Sequence, residues 1–523
     1  MLHWAAPAPR STHGRSCSSM KRILMSSQGS AKITVHPAFV VGTVDHRLFG
    51  SFVEHLGRGV YGGVFDPDDA GSSAEGFRED VLALVRELGV STVRYPGGNF
   101  VSAYDWRDGV GPASERPVRL DPAWHSVETN RFGTDEFLSW CRRAEVEPML
   151  AVNLGTNGIR SALQLQEYVN HPSGTTLADL RKANGHPEPW AVRMWCLGNE
   201  MDGPWQIGHM PAREYGRLAA ATGSAMRAID PDLCLVACGS SNDRMETFGT
   251  WEREVLEECW EVIDHISCHQ YARYDGDLAR FLASGVTMDH FIATVAATIA
   301  HVGAVRRSKR EVTISFDEWN VWDYTAHDAR VAQGLGWDVA PRLLEDVYSV
   351  ADAVVVGDML ISMINRADVV RAASMAQLVN VIGPIMAEPG KPAWRQTTFF
   401  PFRDAAASAG GEALRVAIQA PETEAEAPAI SAAVVQHTDG TLQIMLVGRH
   451  TATAIDLELD LTSFGPVAGA AGTVLSDPDP FATNDASTPE RVRPHSLPVD
   501  ILGTGVRVQI PPVSWSVITV TFS

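Results

Sequence analysis

Two short stretches carry the residue types that acid–base and covalent chemistry requires. Trp195-Cys-Leu-Gly-Asn-Glu200 closes an apolar run that begins at Ala191, then delivers an amide, Asn199, beside a carboxylate, Glu200. Val312-Thr-Ile-Ser-Phe-Asp-Glu-Trp-Asn320 has the same form and presents Glu318. Such runs read as buried strands, and parallel α/β folds place their chemistry at strand ends. Two carboxylates brought to one cleft would suit glycoside hydrolysis: one carboxyl protonates the leaving oxygen, the other engages the anomeric carbon. Trp195, Trp205, Trp319 and Trp322 lie close by in sequence and offer faces on which a sugar could stack. Strict alternation along a strand would send Asn199 and Glu200 to opposite faces. Both serve one site only if the backbone bulges or ends there, which Gly198 permits.

The elements that must position these residues alternate regularly. Strand-like runs at 48–57, 90–95, 147–154, 191–197, 233–238, 263–271, 312–320 and 369–381 are separated by helical patterns at 73–88, 134–145, 161–170, 212–229, 245–260, 287–305 and 343–364. Ser73 is the expected N-cap of the first helix, with Gly89 just past its end. Eight such units predict a (β/α)₈ barrel over residues 46–385, its site at the C-terminal strand ends. The long polar loop 99–130 holds Tyr104, Trp106 and Trp124, and loops of that length are usually functional. After about residue 386 helices are expected to stop. Short β runs at 414–419, 429–436, 442–447, 454–460, 506–510 and 514–522 predict a C-terminal antiparallel β-sandwich over 386–523. Segment 31–45, interrupted by Pro37, reads as edge strands joining that sandwich. The stretch 1–30 reads as disordered or as an over-extended start, without the apolar core of a signal peptide.

Composition bounds the partners. The 523 residues are 45% hydrophobic and 20% charged, with 43 basic against 63 acidic side chains, a formal charge of −20. That acidity argues against nucleic acid and anionic membranes, and no apolar run looks long and clean enough to cross a bilayer. The seven scattered cysteines read as reduced core thiols of a cytoplasmic protein. No cofactor or metal set is expected: there is no zinc-type CxxC pair, and His265 and His269, four residues apart on a strand, would lie about 13 Å apart. Gly97-Gly98 has no following Lys-Ser/Thr, which removes a nucleotide-loop reading.

Five motifs in order, Arg94-Tyr-Pro-Gly-Gly-Asn99, Gly198-Asn-Glu200, His269 to Tyr271, Asp317-Glu-Trp-Asn320 and Gln377-Leu-Val-Asn380, resemble the α-L-arabinofuranosidases of glycoside hydrolase family 51. The resemblance covers residues 31–523. It implies a retaining, exo-acting hydrolase with Glu200 as acid/base and Glu318 as nucleophile. It also implies that Glu54, Arg94, Asn99, Asn199, Tyr271 and Gln377 line an arabinose subsite walled by Trp322. Arg94, near Glu318, would keep that carboxylate ionised. An arabinose-containing oligosaccharide is the expected substrate, and the family tendency is a homohexamer. Two other readings stand beside it. A retaining endo-β-glycanase would show a long open groove. A non-catalytic sugar-binding protein would lack one carboxylate, and this chain has both.

Overall fold

The computed structural model describes residues 29–523 except Leu335, so the reading of residues 1–30 falls almost wholly outside the described residues. Eight parallel strands close into a barrel. In chain order, barrel strands 1 to 8 are Gly50–Phe52, Thr92–Tyr95, Glu147–Ala151, Met194–Leu197, Cys234–Ala237, His265–Ala272, Thr313–Val321 and Val370–Met375. Strand 8 closes the ring on strand 1, with Ser374 opposite Gly50. The strands are short, β-branched or apolar, and almost entirely buried, as both-face burial in a parallel barrel requires.

The outer helices differ from expectation where local polar chemistry overrides periodicity. The first runs Glu79–Leu88 rather than from 73. Ser73 instead closes a turn, its Oγ accepting from the amides of Glu75 and Phe77 at 3.2 and 3.3 Å. Glu79 and Asp80 then sit in the first turn, where the helix dipole favours anions, and Gly89 ends the helix in the left-handed region. The seventh helix, expected at 343–364, begins at Val350, capped reciprocally by Ser349 and Asp352, and residues 343–349 are loop. A further helix, Tyr324–Gln333, occupies part of the connection after strand 7. Helices do not stop at 386 either: Phe399–Ala406 packs under the barrel against the first and seventh helices. Its Phe-Phe-Pro-Phe start hides it from a periodicity reading, and Pro401 is tolerated because it lies in the first turn.

One expectation about membranes needs correction. Helix Ser284–Arg306, with 23 residues, is long and apolar enough to cross a bilayer. In the fold it follows barrel strand 6. Met288, Phe291, Ile292, Val295, Ile299 and Val302 are buried at helical spacing, against strands 6 and 7 and the seventh helix.

The C-terminal strands from Glu412 onward, together with Ser30–Thr43, form one continuous ten-stranded sheet, apart from two short two-stranded pairs elsewhere among the described residues. It folds over a single apolar core to which Ile33, Leu414, Ile444, Leu457, Val508 and Ile518 all contribute. Strand Ser30–Thr43 is not an edge: it lies inside the sheet, antiparallel to Glu412–Gln419 and parallel to Ile455–Asp460, the sheet's only parallel pairing among the described residues. Its ladder lapses between Val35 and Val40, and Pro37, which has no amide to donate, falls in that gap. Strands Val467–Leu475, His495–Leu497 and Val499–Ile501 were not expected; the first is Gly- and Ala-rich and carries little strand propensity.

The sheet's other face packs on the seventh barrel helix. Gly357 on that helix admits the Trp515 ring, since a Cβ there would lie 2.4 Å from it. One residue on, Asp358 receives Arg449 in a bidentate pair at 2.6 and 3.1 Å, with both side chains buried. Asp358 also accepts from the Gly285 amide at 3.1 Å. Removing one partner of such a pair strands a buried charge. Arg449→Ala is therefore expected to cost about 3–5 kcal/mol, measured as a lowered urea midpoint; a midpoint equal to wild type would show that the pair does not fasten the sheet to the barrel.

Candidate active site

The site lies at the C-terminal mouth of the barrel, and two backbone irregularities build it. Strand 4 ends at Leu197, after which Gly198 and Glu200 both take positive φ (96° and 43°). The turn aims two consecutive side chains inward: Asn199 is 1% exposed and Glu200 8%. Strand 7 solves the same problem with a bulge. Ser315 pairs with Ser267 but Glu318 with His269, so the strand carries one extra residue there. Asp317 and Glu318 both stay buried as a result.

Nearest side-chain atoms of Glu200, His269 and Glu318 lie within 4.8 Å of one another. Tyr271 donates its hydroxyl to Glu318 Oε1 at 2.6 Å, and Arg94 Nη1 donates to Oε2 at 3.3 Å. Arg94 Nη2 donates to Asn199 Oδ1 at 2.5 Å, fixing the amide's orientation, and Asn199 in turn donates to Gln206 at 3.3 Å. Glu200 is held at both oxygens, Oε1 by His269 Nδ1 at 3.0 Å and Oε2 by Trp205 Nε1 at 2.5 Å. The other ring nitrogen of His269 meets Asp317 Oδ1 at 3.1 Å.

Glu54, just past strand 1, is a second, separate carboxylate centre. It accepts from the Phe100 amide at 2.9 Å, Trp124 Nε1 at 2.8 Å and Gln377 Nε2 at 3.0 Å. Gly97 passes so close that a Cβ would lie 2.6 Å from the Glu54 side chain. Asn320 pins the Gln377 loop by donating to the Ile382 carbonyl at 2.6 Å. Gln377 Oε1 and Trp322 Nε1 are buried without a hydrogen-bond partner among the described residues. Buried orphans of this kind are satisfied by a ligand rich in hydroxyls.

The geometry now has a family context. Residues 84–285 match the α-L-arabinofuranosidase 1 domain, and residues 317–514 match the α-L-arabinofuranosidase C-terminal domain. An intracellular exo-α-(1→5)-L-arabinofuranosidase of Streptomyces lividans is 53% identical over 93% of this chain and 75% of its own length. An exo-α-(1→6)-L-arabinofuranosidase of Bifidobacterium longum is 50% identical over 94% and 97%. A solved family 51 α-L-arabinofuranosidase from Bifidobacterium longum superposes with a TM-score of 0.90 at 45% identity, covering 94% of this chain and 99% of that one. This chain belongs to the family 51 α-L-arabinofuranosidases.

Among the residues that the family resemblance singled out, Arg94, Asn199, Glu200, Tyr271 and Glu318 form one hydrogen-bonded cluster with His269. Glu54 and Gln377 form the second centre. Trp322 joins the wall, stacked on Tyr324 at 3.8 Å and edge-on to Tyr271 at 5.2 Å. Asn99 opens a 3₁₀ turn beside the glycines that wrap Glu54, is half-buried, and makes no side-chain hydrogen bond among the described residues. Two of the four tryptophans near the motifs are not site residues: Trp195 and Trp319 are fully buried core. Sequence reasoning passed over His269 and Asp317 as site members, although both lie inside the quoted motifs. It also passed over Trp124 and Gln206. Trp124 enters through a small hairpin, Arg119–Asp121 with Ser126–Glu128, inside the long polar loop. His265 sits at the far end of strand 6, against Thr313 Oγ1 at 2.6 Å.

The electrostatics follow from burial. Desolvation and the Glu200 carboxylate raise Glu318, against the pull of His269, Arg94 and the Tyr271 hydroxyl. Burial opposes charge on His269, yet Glu318, Asp317 and Glu200 outweigh it and push the ring up to about 10. Glu54 is pushed up to about 8 by desolvation, in spite of its three donors. A carboxyl that binds its proton more tightly when folded makes stability fall as pH rises from its unfolded value, 4.5, to about 8. Glu54→Gln removes that slope. Melting temperatures of both proteins at about pH 5 and about pH 9 should show the variant gaining on wild type at the higher pH; parallel pH profiles would refute the assignment.

Proposed function

We infer that Glu318 is the nucleophile and Glu200 the acid/base of a retaining exo-α-L-arabinofuranosidase that removes terminal non-reducing α-L-arabinofuranosyl residues from short oligosaccharides. The observation that carries this reading is the spacing of the two carboxylates, with nearest atoms within 4.8 Å. A retaining pair stands about 5–5.5 Å apart, whereas an inverting pair leaves about 6.5–9.5 Å for a water. In the first step a Glu318 oxygen bonds the anomeric carbon, the bond to the aglycone oxygen breaks, and the Glu200 proton goes to that oxygen. In the second, Glu200 takes a proton from water, the water oxygen bonds the anomeric carbon, and the Glu318 ester bond breaks. Arg94 and Tyr271 hold Glu318 on its line of attack. Asn199, oriented by Arg94, suits the sugar 2-hydroxyl, an interaction that strengthens as charge develops at the ring.

Glu54, Asn99, Trp124, Trp322 and Gln377 suit the remaining arabinose hydroxyls. A sugar lacking a matching hydroxyl leaves these buried groups unpaired, which is the strongest form of discrimination such a site has. Glu54, with Trp124 and Gln377 around it, supports a closed end rather than the open groove of an endo-acting enzyme. Several relatives are named intracellular. With the acidic chain, this supports action inside the cell on imported short oligosaccharides. Assembly as a hexamer is part of the same reading, and sedimentation as a monomer would remove it.

The decisive assay is hydrolysis of 4-nitrophenyl α-L-arabinofuranoside by wild type, Glu200→Ala and Glu318→Ala, with and without azide. Both variants should lose activity on the order of 10²-fold or more, and azide should restore turnover. Glu200→Ala should yield the α-arabinosyl azide, because azide attacks the β-linked ester. Glu318→Ala should yield the β-azide, because azide takes the nucleophile's place. A wild type inactive on this substrate but active on β-linked glycans would replace the arabinose reading with the endo-glycanase one.

A further inference from the structure

His269 faces carboxylates with both ring nitrogens, Nδ1 to Glu200 Oε1 at 3.0 Å and Nε2 to Asp317 Oδ1 at 3.1 Å, and its side chain is 3% exposed. A neutral imidazole has one donor and one acceptor nitrogen. In this position its acceptor lone pair would face a carboxylate oxygen, a repulsive contact, unless that carboxyl kept its own proton and donated it in a hydrogen bond to the ring nitrogen. The surroundings decide between the two. Glu318 Oε2 lies 3.6 Å from Nδ1, so three carboxylates converge on the ring. Arg94 contributes one guanidinium to the cluster, at 3.3 Å from Glu318 and 3.9 Å from Asp317. The Cys196 thiol meets Asp317 at 3.7 Å, the Tyr271 hydroxyl meets Glu318, and Asp202 adds a further carboxyl on the Glu200 side. Even with Glu200 protonated, the Asp317 and Glu318 carboxylates face one guanidinium, which leaves room for a second positive charge, and the ring is the group placed to carry it.

We propose that Asp317 is a positioning residue that keeps His269 an imidazolium through the whole catalytic cycle, so that His269 always donates to Glu200 Oε1 and the transferable proton rides on Oε2. The inference rests on the acid/base role given to Glu200 above. When Glu200 is protonated, the donated bond from Nδ1 leaves Oε1 an acceptor and places the hydroxyl on Oε2, the oxygen that meets Trp205 alone among the described residues. That proton passes to the leaving oxygen as the glycosidic bond breaks, and Oε2 later takes one back from the attacking water. His269 keeps both of its own protons throughout. Without the Asp317 charge the ring would turn neutral, its Nδ1 would accept from Glu200 Oε1, and the acid proton would be locked against the ring and away from the substrate. The strand 7 bulge is what sets Asp317 on one nitrogen and Glu318 near the other.

The test pairs a spectroscopic measurement with a leaving-group comparison on the full-length enzyme. With ¹⁵N-labelled histidine, and His269→Asn to assign the signal, both ring nitrogens of His269 should be protonated at neutral pH in wild type and one should be free in Asp317→Asn. The same variant should lose kcat/KM on the order of 10²-fold for an alkyl or sugar aglycone, which needs a proton. It should lose far less for a 2,4-dinitrophenyl arabinofuranoside, whose leaving group does not. A neutral His269 in wild type overturns the proposal, and so does an equal loss on both substrates. The wild-type spectrum requires no substrate and no variant activity. It therefore fails or succeeds separately from the azide assay that tests the carboxylate roles.

Discussion

The C-terminal mouth of the barrel depends on a guanidinium buried away from water. Arg94 is 1% exposed and touches Asn199 and Glu318, with Asp317 3.9 Å away. A buried cation is costly unless it is paired and hydrogen-bonded. Here its partners come from the turn after strand 4 and from strand 7, while Arg94 itself lies on strand 2. The charge therefore does more than neutralise a carboxylate. It makes the ends of three strands agree on one geometry, and it sets the orientation of the Asn199 amide.

Around that cation the cluster is arranged so that no oxygen of the two central glutamates is idle. Glu318 has Tyr271 on one oxygen and Arg94 on the other, and Glu200 has His269 on one and Trp205 on the other. Rigidity of this kind is what a carboxylate pair needs, since orientation lost by a few tenths of an ångström is lost transition-state stabilisation. The second centre at Glu54 is organised differently. Its donors come from a backbone amide and from two loops, and Gln377 Oε1 and Trp322 Nε1 stay without a partner among the described residues. The folded-over sheet contributes no hydrogen bond to either centre among the described residues. It braces the seventh barrel helix through Trp515 and the Asp358–Arg449 pair.

The barrel was legible because its strands and helices announce themselves by burial period, and apolar runs ending in Asn-Glu or Asp-Glu locate its mouth. Where polar side chains compete with periodicity, the reading slipped. Ser73 took a turn instead of a cap, and Ser349 with Asp352 started a helix seven residues later than its apolar pattern. The Phe399–Ala406 helix and the Gly/Ala strand at 467–475 carry weak signals of either kind, and packing alone settles them. Strand 30–43 reads as an edge because of Pro37, yet a lapse in the ladder lets it run through the sheet's interior.

The architecture and the identity of the two carboxylate-bearing strands can be read along the chain, because burial pattern and residue type are local properties. So can the need for a break at Gly198 if Asn199 and Glu200 are to share a face, and the positive φ there is that break. What surrounds each carboxylate, by contrast, is set when the strands come together. That His269 bridges Glu200 and Asp317, that Trp124 reaches Glu54 from a hairpin 70 residues away, and that Trp195 and Trp319 turn into the core are matters of register and closure. A one-residue bulge in strand 7 reverses which side chains face the site, and no local pattern encodes a bulge whose partner strand lies about fifty residues distant.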